Sequence, residues 1–298
     1  MMKKTVKAAL VQFSPWSMHE MDKNIEYINS QIENLAQEGN ELIVFPEMSV
    51  TNFFEHHENG KEEYWDYGAI SVESKQLKAI ETKAAQHNCY VIVGFAERSN
   101  VIGVIFNSAA LIGPEGIIGV TRKIHFPGIE KQYYTTGDRI DVFDTPIGKI
   151  GICICYDSMF PEITRILAVK GADIIVMTSS IWEGGEKGGI GSPTYKKSYW
   201  DHLPPVKAVE NQTFVIACNG SGSHLIGEAL GKWSRMGLSK IVSPTGEILA
   251  SIDHNQEAIL SAVLDERDLV KARSQYSFLA DRKPYLFQDL AGKHKNSF

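Results

Sequence analysis

Short apolar runs alternate along the chain with longer segments in which apolar residues recur every three or four positions. Residues 5–13 and 41–45 read as strands, the second stopping at Pro46, and 89–96 (CYVIVGFA) reads as a buried strand. Residues 22–37 carry Ile25, Ile28, Ile32 and Leu35 at helical spacing, with Gly39 placed to cap the C-terminus. Residues 74–86 read as a second helix. The runs 106–112 and 117–122 flank Gly113-Pro114-Glu115-Gly116, a hairpin turn, and two more hairpins turn at Pro146-Ile147-Gly148-Lys149 and Pro244-Thr245-Gly246-Glu247. A helix over 161–170 has Pro161 at its head. A strand over 173–178 (DIIVMT), a helix over 196–211 and a strand over 214–219 follow, and 257–263 with a helix over 265–275 close the core. The glycine-rich stretch 184–191 (GGEKGGIG) reads as a flexible loop without the Gly-Lys-Ser/Thr ending of a phosphate-binding loop.

Strand runs without polar alternation need cover on both faces, and the helices between them supply it. The pattern therefore predicts an α/β fold, a layered sandwich. No linker rich in Pro, Gly or Ser divides it, so residues 1–280 are expected to form one domain. The tail 281–298 is polar with scattered aromatics, and either covers a neighbouring subunit or frays at its end.

At 298 residues and 43% hydrophobic, the chain can bury a large core without disulfides or metals. Its net charge of −6, with no basic run interleaved with aromatics, argues against nucleic-acid binding. The N-terminal MMKKTVKAALVQF is interrupted by Lys7 and Gln12 and reads as a strand rather than a signal peptide. No apolar stretch approaches the roughly 20 residues of a membrane span, so a soluble, cytoplasmic protein with no membrane partner is expected. Cys89, Cys153, Cys155 and Cys218 match neither a zinc pattern nor a disulfide framework. Buried thiols are the background against which a reactive cysteine must stand out.

Three places combine a strand end with a reactive side chain. In LIVFPEMSV a buried strand stops at Pro46 and presents Glu47, a carboxylate suited to act as a base if partly desolvated. In TRKIHFPGIEKQYY, Lys123 follows a strand, and a fixed ammonium beside a carbonyl oxygen stabilises an oxyanion. In IGICICYDSMFPE a strand runs into a turn at Cys155 before a helix begins near Pro161, exposing a thiol beside backbone N–H groups. Taken singly, a turn-capping glutamate, a solvated lysine and a packed cysteine are the commoner meanings. Cys153, inside the strand, reads as core.

Occurring together in the order Glu, Lys, Cys, the segments FPEM, RKIHFPGIEK and GICICYDSMFPE resemble the three signature regions of the nitrilase superfamily of carbon–nitrogen hydrolases. Downstream, AVENQTFVIACN resembles a further family segment, in which Glu210 would be a structural acid. The resemblance runs from the first strand to about Val263 and implies a four-layer αββα sandwich, assembled as a homodimer or higher homo-oligomer. It implies that Glu47 is the general base and Cys155 the nucleophile. Lys123 and the backbone N–H of Tyr156 would hold the oxyanion, and Glu130 would position Lys123 and the substrate. Two carboxylates and an ammonium around a thiol need no cofactor and no metal, and none is expected.

Cys155-Tyr156-Asp157 looks like the amidase and carbamoylase branches, so the implied substrate is a small-molecule amide or N-carbamoyl amine, with a nitrile as the runner-up. A non-catalytic binding protein on the same fold is the alternative from another class; it would be expected to lose one of Glu47, Lys123 or Cys155. Ser158 and Met159 stand where some relatives place an arginine that clamps a substrate carboxylate. The substrate is then neutral or cationic near that wall, or its acid is held elsewhere. Phe53 replaces a common tyrosine at a pocket edge. Trp182 and Glu183 stand where relatives shape the pocket, Glu183 either receiving a cationic substrate end or facing solvent.

Overall fold

A computed structural model describes residues 2–188 and 191–292. In chain order the elements are β1 (Thr5–Gln12), α1 (Met21–Gln37), β2 (Leu42–Val44), α2 (Gly60–Glu63), α3 (Lys75–His87), β3 (Tyr90–Arg98), β4 (Ile105–Gly113), β5 (Gly116–Arg122) and α4 (Glu130–Tyr133). They continue with β6 (Val142–Thr145), β7 (Gly148–Ile154), α5 (Pro161–Val169), β8 (Ile174–Ser179), β9 (Trp182–Gly185), α6 (Pro193–Asn211) and β10 (Phe214–Asn219). The last are β11 (Ser223–Gly227), β12 (Gly231–Arg235), β13 (Lys240–Val242), β14 (Ile248–Ser251), β15 (Ala258–Asp265) and α7 (Glu266–Gln275). The three hairpins lie where their turn residues place them, joining β4 to β5, β6 to β7 and β13 to β14.

Two six-stranded sheets, ordered β15-β1-β2-β3-β4-β5 and β14-β13-β10-β8-β7-β6, stack face to face. Side-chain period decides which residues meet. In β1, Val6, Ala8 and Leu10 point into the core between the sheets, while Ala9 and Val11 pack under α1 and α3. Leu42 and Val44 against Ile43, and Ile92 against Val91 and Val93, divide the same way. Both faces of the central strands are thus covered, which is why they lack polar alternation. Helices α5 and α6 cover the outer face of the second sheet, completing an αββα sandwich. Among the described residues no helix is long and apolar enough to cross a membrane.

Within the first sheet β1, β2 and β3 are parallel, and β4 and β5 then run antiparallel in turn, so β2 and β5 end at the same edge. In the second sheet β7, β8 and β10 are parallel. Thr178 at the end of β8 donates its hydroxyl to the Phe45 carbonyl at 3.0 Å, fixing that edge of one sheet against the other.

Two features depart from the sequence expectation. A third, three-stranded sheet, β11-β12-β9, stands beside the sandwich. The stretch expected as a glycine-rich loop begins inside it: Gly184 and Gly185 belong to β9, while residues 189 and 190 lie outside the described residues. Gly185 fits a strand because Trp233 of β12 lies on it; a Cβ there would sit 2.0 Å from the indole. Helix α6 starts at Pro193, earlier than the pattern predicts, because proline is accommodated in a first helical turn.

Gly94 of β3 has an equally local reason. Its N–H donates to the Ser49 hydroxyl oxygen at 3.0 Å, its carbonyl accepts from the Val50 N–H at 2.9 Å, and a Cβ would meet Met48 N at 2.4 Å. The backbone carrying Glu47 lies directly on this glycine. Gly94→Ala is expected to lower the unfolding free energy by about 1–3 kcal/mol through overpacking, read as a lower urea midpoint at unchanged slope. An unshifted midpoint would show that the Glu47 loop yields without cost.

Candidate active site

Three strand ends converge at the seam between the two large sheets. Beyond β2, Pro46 leads to Glu47, and Met48 takes a left-handed φ of 57° that turns the chain back. Beyond β5, Lys123 hydrogen-bonds through its backbone N–H to the Asn107 carbonyl at 2.8 Å, extending the ladder by one residue. Beyond β7, Cys155 has φ 49° and opens the single-turn helix Cys155–Met159. A non-glycine residue in this region costs of order 1–3 kcal/mol. Here the bend swings the thiol out of the strand, and Ser158 Oγ braces it by donating to the Cys155 carbonyl at 2.6 Å.

Lys123 is fully buried, with Nζ 2.7 Å from Glu47 Oε1 and 2.8 Å from Glu130 Oε2. Glu47 Oε1 also accepts from Asn107 Nδ2 at 2.7 Å, whereas its Oε2 is buried and has no hydrogen-bond partner among the described residues. Asp157 joins the cysteine turn to the lysine loop. Its carboxylate accepts from the backbone N–H groups of Ile124 at 3.1 Å and His125 at 2.8 Å, and lies 2.8 Å from His125 Nδ1. The His125 ring stacks on Phe160 at 3.6 Å between centroids.

The electrostatics follow from burial and from an excess of carboxylate. Burial opposes the Lys123 charge, but Glu130 and Glu47 outweigh it and hold the ammonium well above the ordinary lysine range. Burial raises the Glu130 carboxyl to about 7; Lys123 pulls it down and Glu47 pushes it up. Cys155 is pushed well above the usual thiol range, first by burial and then by the Glu47 charge, with Lys123 opposing. At neutral pH the resting group is a thiol, and an attack needs a base to take its proton.

The thiol opens into a cavity of about 590 Å³. Of the residues expected to bind substrate, Tyr156, Phe53, Met159 and Trp182 line it. Glu183 does not: it is exposed on β9, where strand alternation turns it away from the face that presents Trp182. The sequence reading missed much of the remaining wall, namely Phe54, Ser180, Tyr199 of α6 and Trp233 of β12. It also missed Asn107, whose one signal is a polar residue inside an apolar strand, and gave Asp157 no role. Arg235 went unread as well. It is buried without a carboxylate partner among the described residues, donating to Ser180 Oγ at 2.8 Å and Asn52 Oδ1 at 2.7 Å, with its guanidinium 4.5 Å from the Trp182 ring.

An αββα sandwich with a buried Glu–Lys–Glu cluster beside a thiol defines a class of hydrolase, and comparison with known proteins agrees. The family model for carbon–nitrogen hydrolases matches residues 7–274, and the chain belongs to that family, an enzyme acting on C–N bonds. It is 31% identical over 296 residues to a citrullinase from Francisella tularensis, covering 97% of this chain and 99% of that protein. It is 30% identical over 262 residues to a nitrilase from Pyrococcus abyssi, covering 87% and 90%. A crystal structure of a carbon–nitrogen hydrolase from Helicobacter pylori G27 superposes with a TM-score of 0.85 at 27% identity, covering 97% of this chain and 99% of the other.

Glu130 should leave a signature in stability. Its folded value of about 7 lies above the ordinary 4.5, so the native state holds the extra proton between these limits. Its contribution to stability is fully present below about pH 4.5 and is lost as pH rises through about 7. The slope is at most about 1.4 kcal/mol per pH unit, the value for one proton. Urea unfolding at pH 5 and pH 7.5 is expected to show this decline in the wild type and a flatter profile in Glu130→Gln; identical profiles would mean that Glu130 is ionised throughout.

Proposed function

We propose that the enzyme hydrolyses a small linear amide or N-carbamoyl amine through a thioester on Cys155, releasing ammonia. One observation carries this reading. Lys123 and Asn107 occupy Glu47 Oε1, leaving the buried Oε2 free, and Glu47 is close enough for its charge to raise the Cys155 thiol. A base with one oxygen anchored and the other free is oriented for a single proton transfer.

In this mechanism Glu47 Oε2 takes the thiol proton as Cys155 Sγ attacks the carbonyl carbon. The resulting oxyanion is held by Lys123 Nζ and the backbone N–H of Tyr156. When the C–N bond breaks, Glu47 returns the proton to the departing nitrogen and the acyl group stays on sulfur. A water molecule then gives its proton to Glu47 and adds to the thioester. As the carbon–sulfur bond breaks, the acid leaves and the proton returns to Cys155. Glu130 positions Lys123, and Asp157 holds the lysine loop against the cysteine turn. Amide hydrolysis consumes one water and yields one carboxylate and one ammonium; an N-carbamoyl amine consumes one water and yields ammonia and a carbamic acid, which breaks down to the amine and carbon dioxide. Four free thiols suit a reducing compartment, and the reading extends to a cytoplasmic enzyme.

Ammonia release is to be measured across amides, N-carbamoyl amines and nitriles, with wild type beside Cys155→Ala and Glu47→Gln. Cys155→Ala is expected to abolish turnover, and Glu47→Gln to lower kcat by about 10²–10⁴. Equal release from wild type and Cys155→Ala would exclude the thiol, and activity confined to nitriles would exclude the amidase reading.

A further inference from the structure

The mechanism leaves two charged groups in the cavity unused, Lys187 and Lys196. Lys196, in the first turns of α6, lines the wall, and its ammonium has no ion-pair or hydrogen-bond partner among the described residues. Partial burial holds it below the ordinary lysine value. The other lining lysine, Lys187, donates to the Glu228 carbonyl. Carboxylates are scarce by comparison. Among the described lining residues only Glu130 carries one, and Lys123 already holds it. Glu183 faces away, and Glu186, outside the lining, accepts from the Lys232 backbone N–H.

A substrate reaching from Cys155 toward Lys196 crosses apolar ground. Tyr199 lies near enough to the thiol that a Cys155 charge would raise its phenol, whose value burial raises most. Lys196 stands three residues earlier on the same helix, about 4.5 Å along its axis, with Tyr195 beside it on the wall. Phe53, Trp182 and Trp233 line the same cavity. A cationic substrate end would meet a bare ammonium and no free carboxylate, whereas an anionic end would gain a charge-assisted hydrogen bond in a partly desolvated place.

We propose that Lys196 binds a carboxylate at the end of the substrate remote from the scissile bond. The substrate class is then an amide or carbamoyl amine with an apolar body of a few carbons and a terminal acid. This places the substrate's acid on α6 rather than beside Ser158 and Met159. The inference takes its reacting end from the thiol mechanism above.

Three amides of matched length test it: adipic acid monoamide, hexanamide and 6-aminohexanamide, which end in a carboxylate, a methyl and an ammonium. Wild type is expected to favour the monoamide over hexanamide by roughly 10-fold or more in kcat/KM, the worth of one hydrogen bond between charged groups, with 6-aminohexanamide poorest. Lys196→Met is expected to shrink the first ratio toward one through KM rather than kcat, and Lys196→Glu to favour the ammonium end. A flat or cation-preferring wild type, or a preference that Lys196→Met leaves intact, overturns the inference. Titrating the same amides onto Cys155→Ala by calorimetry separates the two readings. If wild type releases no ammonia but the monoamide binds tightest in a Lys196-dependent way, the anion site stands and the hydrolase mechanism falls. Equal binding of all three, or none, removes the anion site.

Discussion

A fully buried ammonium is the constraint on which the rest of the site depends. Removing the Lys123 charge from water costs several kcal/mol unless well-placed anions offset it, and two carboxylates at 2.7 and 2.8 Å do so. They arrive from different elements: Glu47 beyond β2 and Glu130 on α4, with Lys123 itself beyond β5. Losing either would take one of its two carboxylate partners from the buried ammonium, so each element is held in place by the same group. With both carboxylates ionised, the cluster carries one more negative than positive charge. That excess opposes ionisation of Cys155. In the proposed mechanism the proton then moves during attack rather than from a stored thiolate, with the unpartnered Glu47 oxygen as its acceptor.

The location of this cluster ties chemistry to the whole fold. One sheet supplies the carboxylate and the ammonium, the other supplies the thiol, and neither contains the site alone. The hydrogen bond from Thr178 to Phe45 and the Asp157 contacts with the lysine loop bridge the two halves next to the reacting groups. Stacking the sheets over a shared apolar core thus sets the distance between Glu47 and Cys155. A change in that core would be felt as misplacement at the seam, because a close-packed interior transmits strain rather than absorbing it.

How much of this was legible in the sequence depends on distance along the chain. Strands buried on both faces announced themselves as apolar runs, and Glu47, Lys123 and Cys155 stood out because each follows such a run directly. Their catalytic roles came with the family resemblance. The third sheet did not stand out: β11 and β12 are five residues each, β11 ends and β12 begins at a glycine, and β12 pairs with a β9 that contains two glycines. Glu183 was expected either to receive a cationic substrate end or to face solvent because, with Trp182, it follows a strand where relatives shape the pocket, but pairing in a strand sends adjacent residues to opposite faces. Trp233 and Tyr199 reach the cavity from far along the sequence, and only the tertiary fold brings them to Cys155.

Glu47, Lys123 and Cys155 stand at strand ends of the two large sheets, where registry leaves little freedom. Part of the cavity wall, Trp182, Tyr199 and Trp233, comes instead from β9, α6 and β12. Arg235 joins the two regions. Its guanidinium is buried without a carboxylate partner among the described residues and is satisfied by neutral oxygens of Ser180, Ser221 and Asn52 and by the face of Trp182. Its charge is thus hydrogen-bonded but not neutralised. Next to it His224 is driven down to about 4, first by burial and then by the Arg235 charge, so that ring stays neutral at physiological pH. A neutral histidine and a buried guanidinium behind the wall add no negative charge there, so the carboxylates of the site are gathered at the Glu47–Glu130 end.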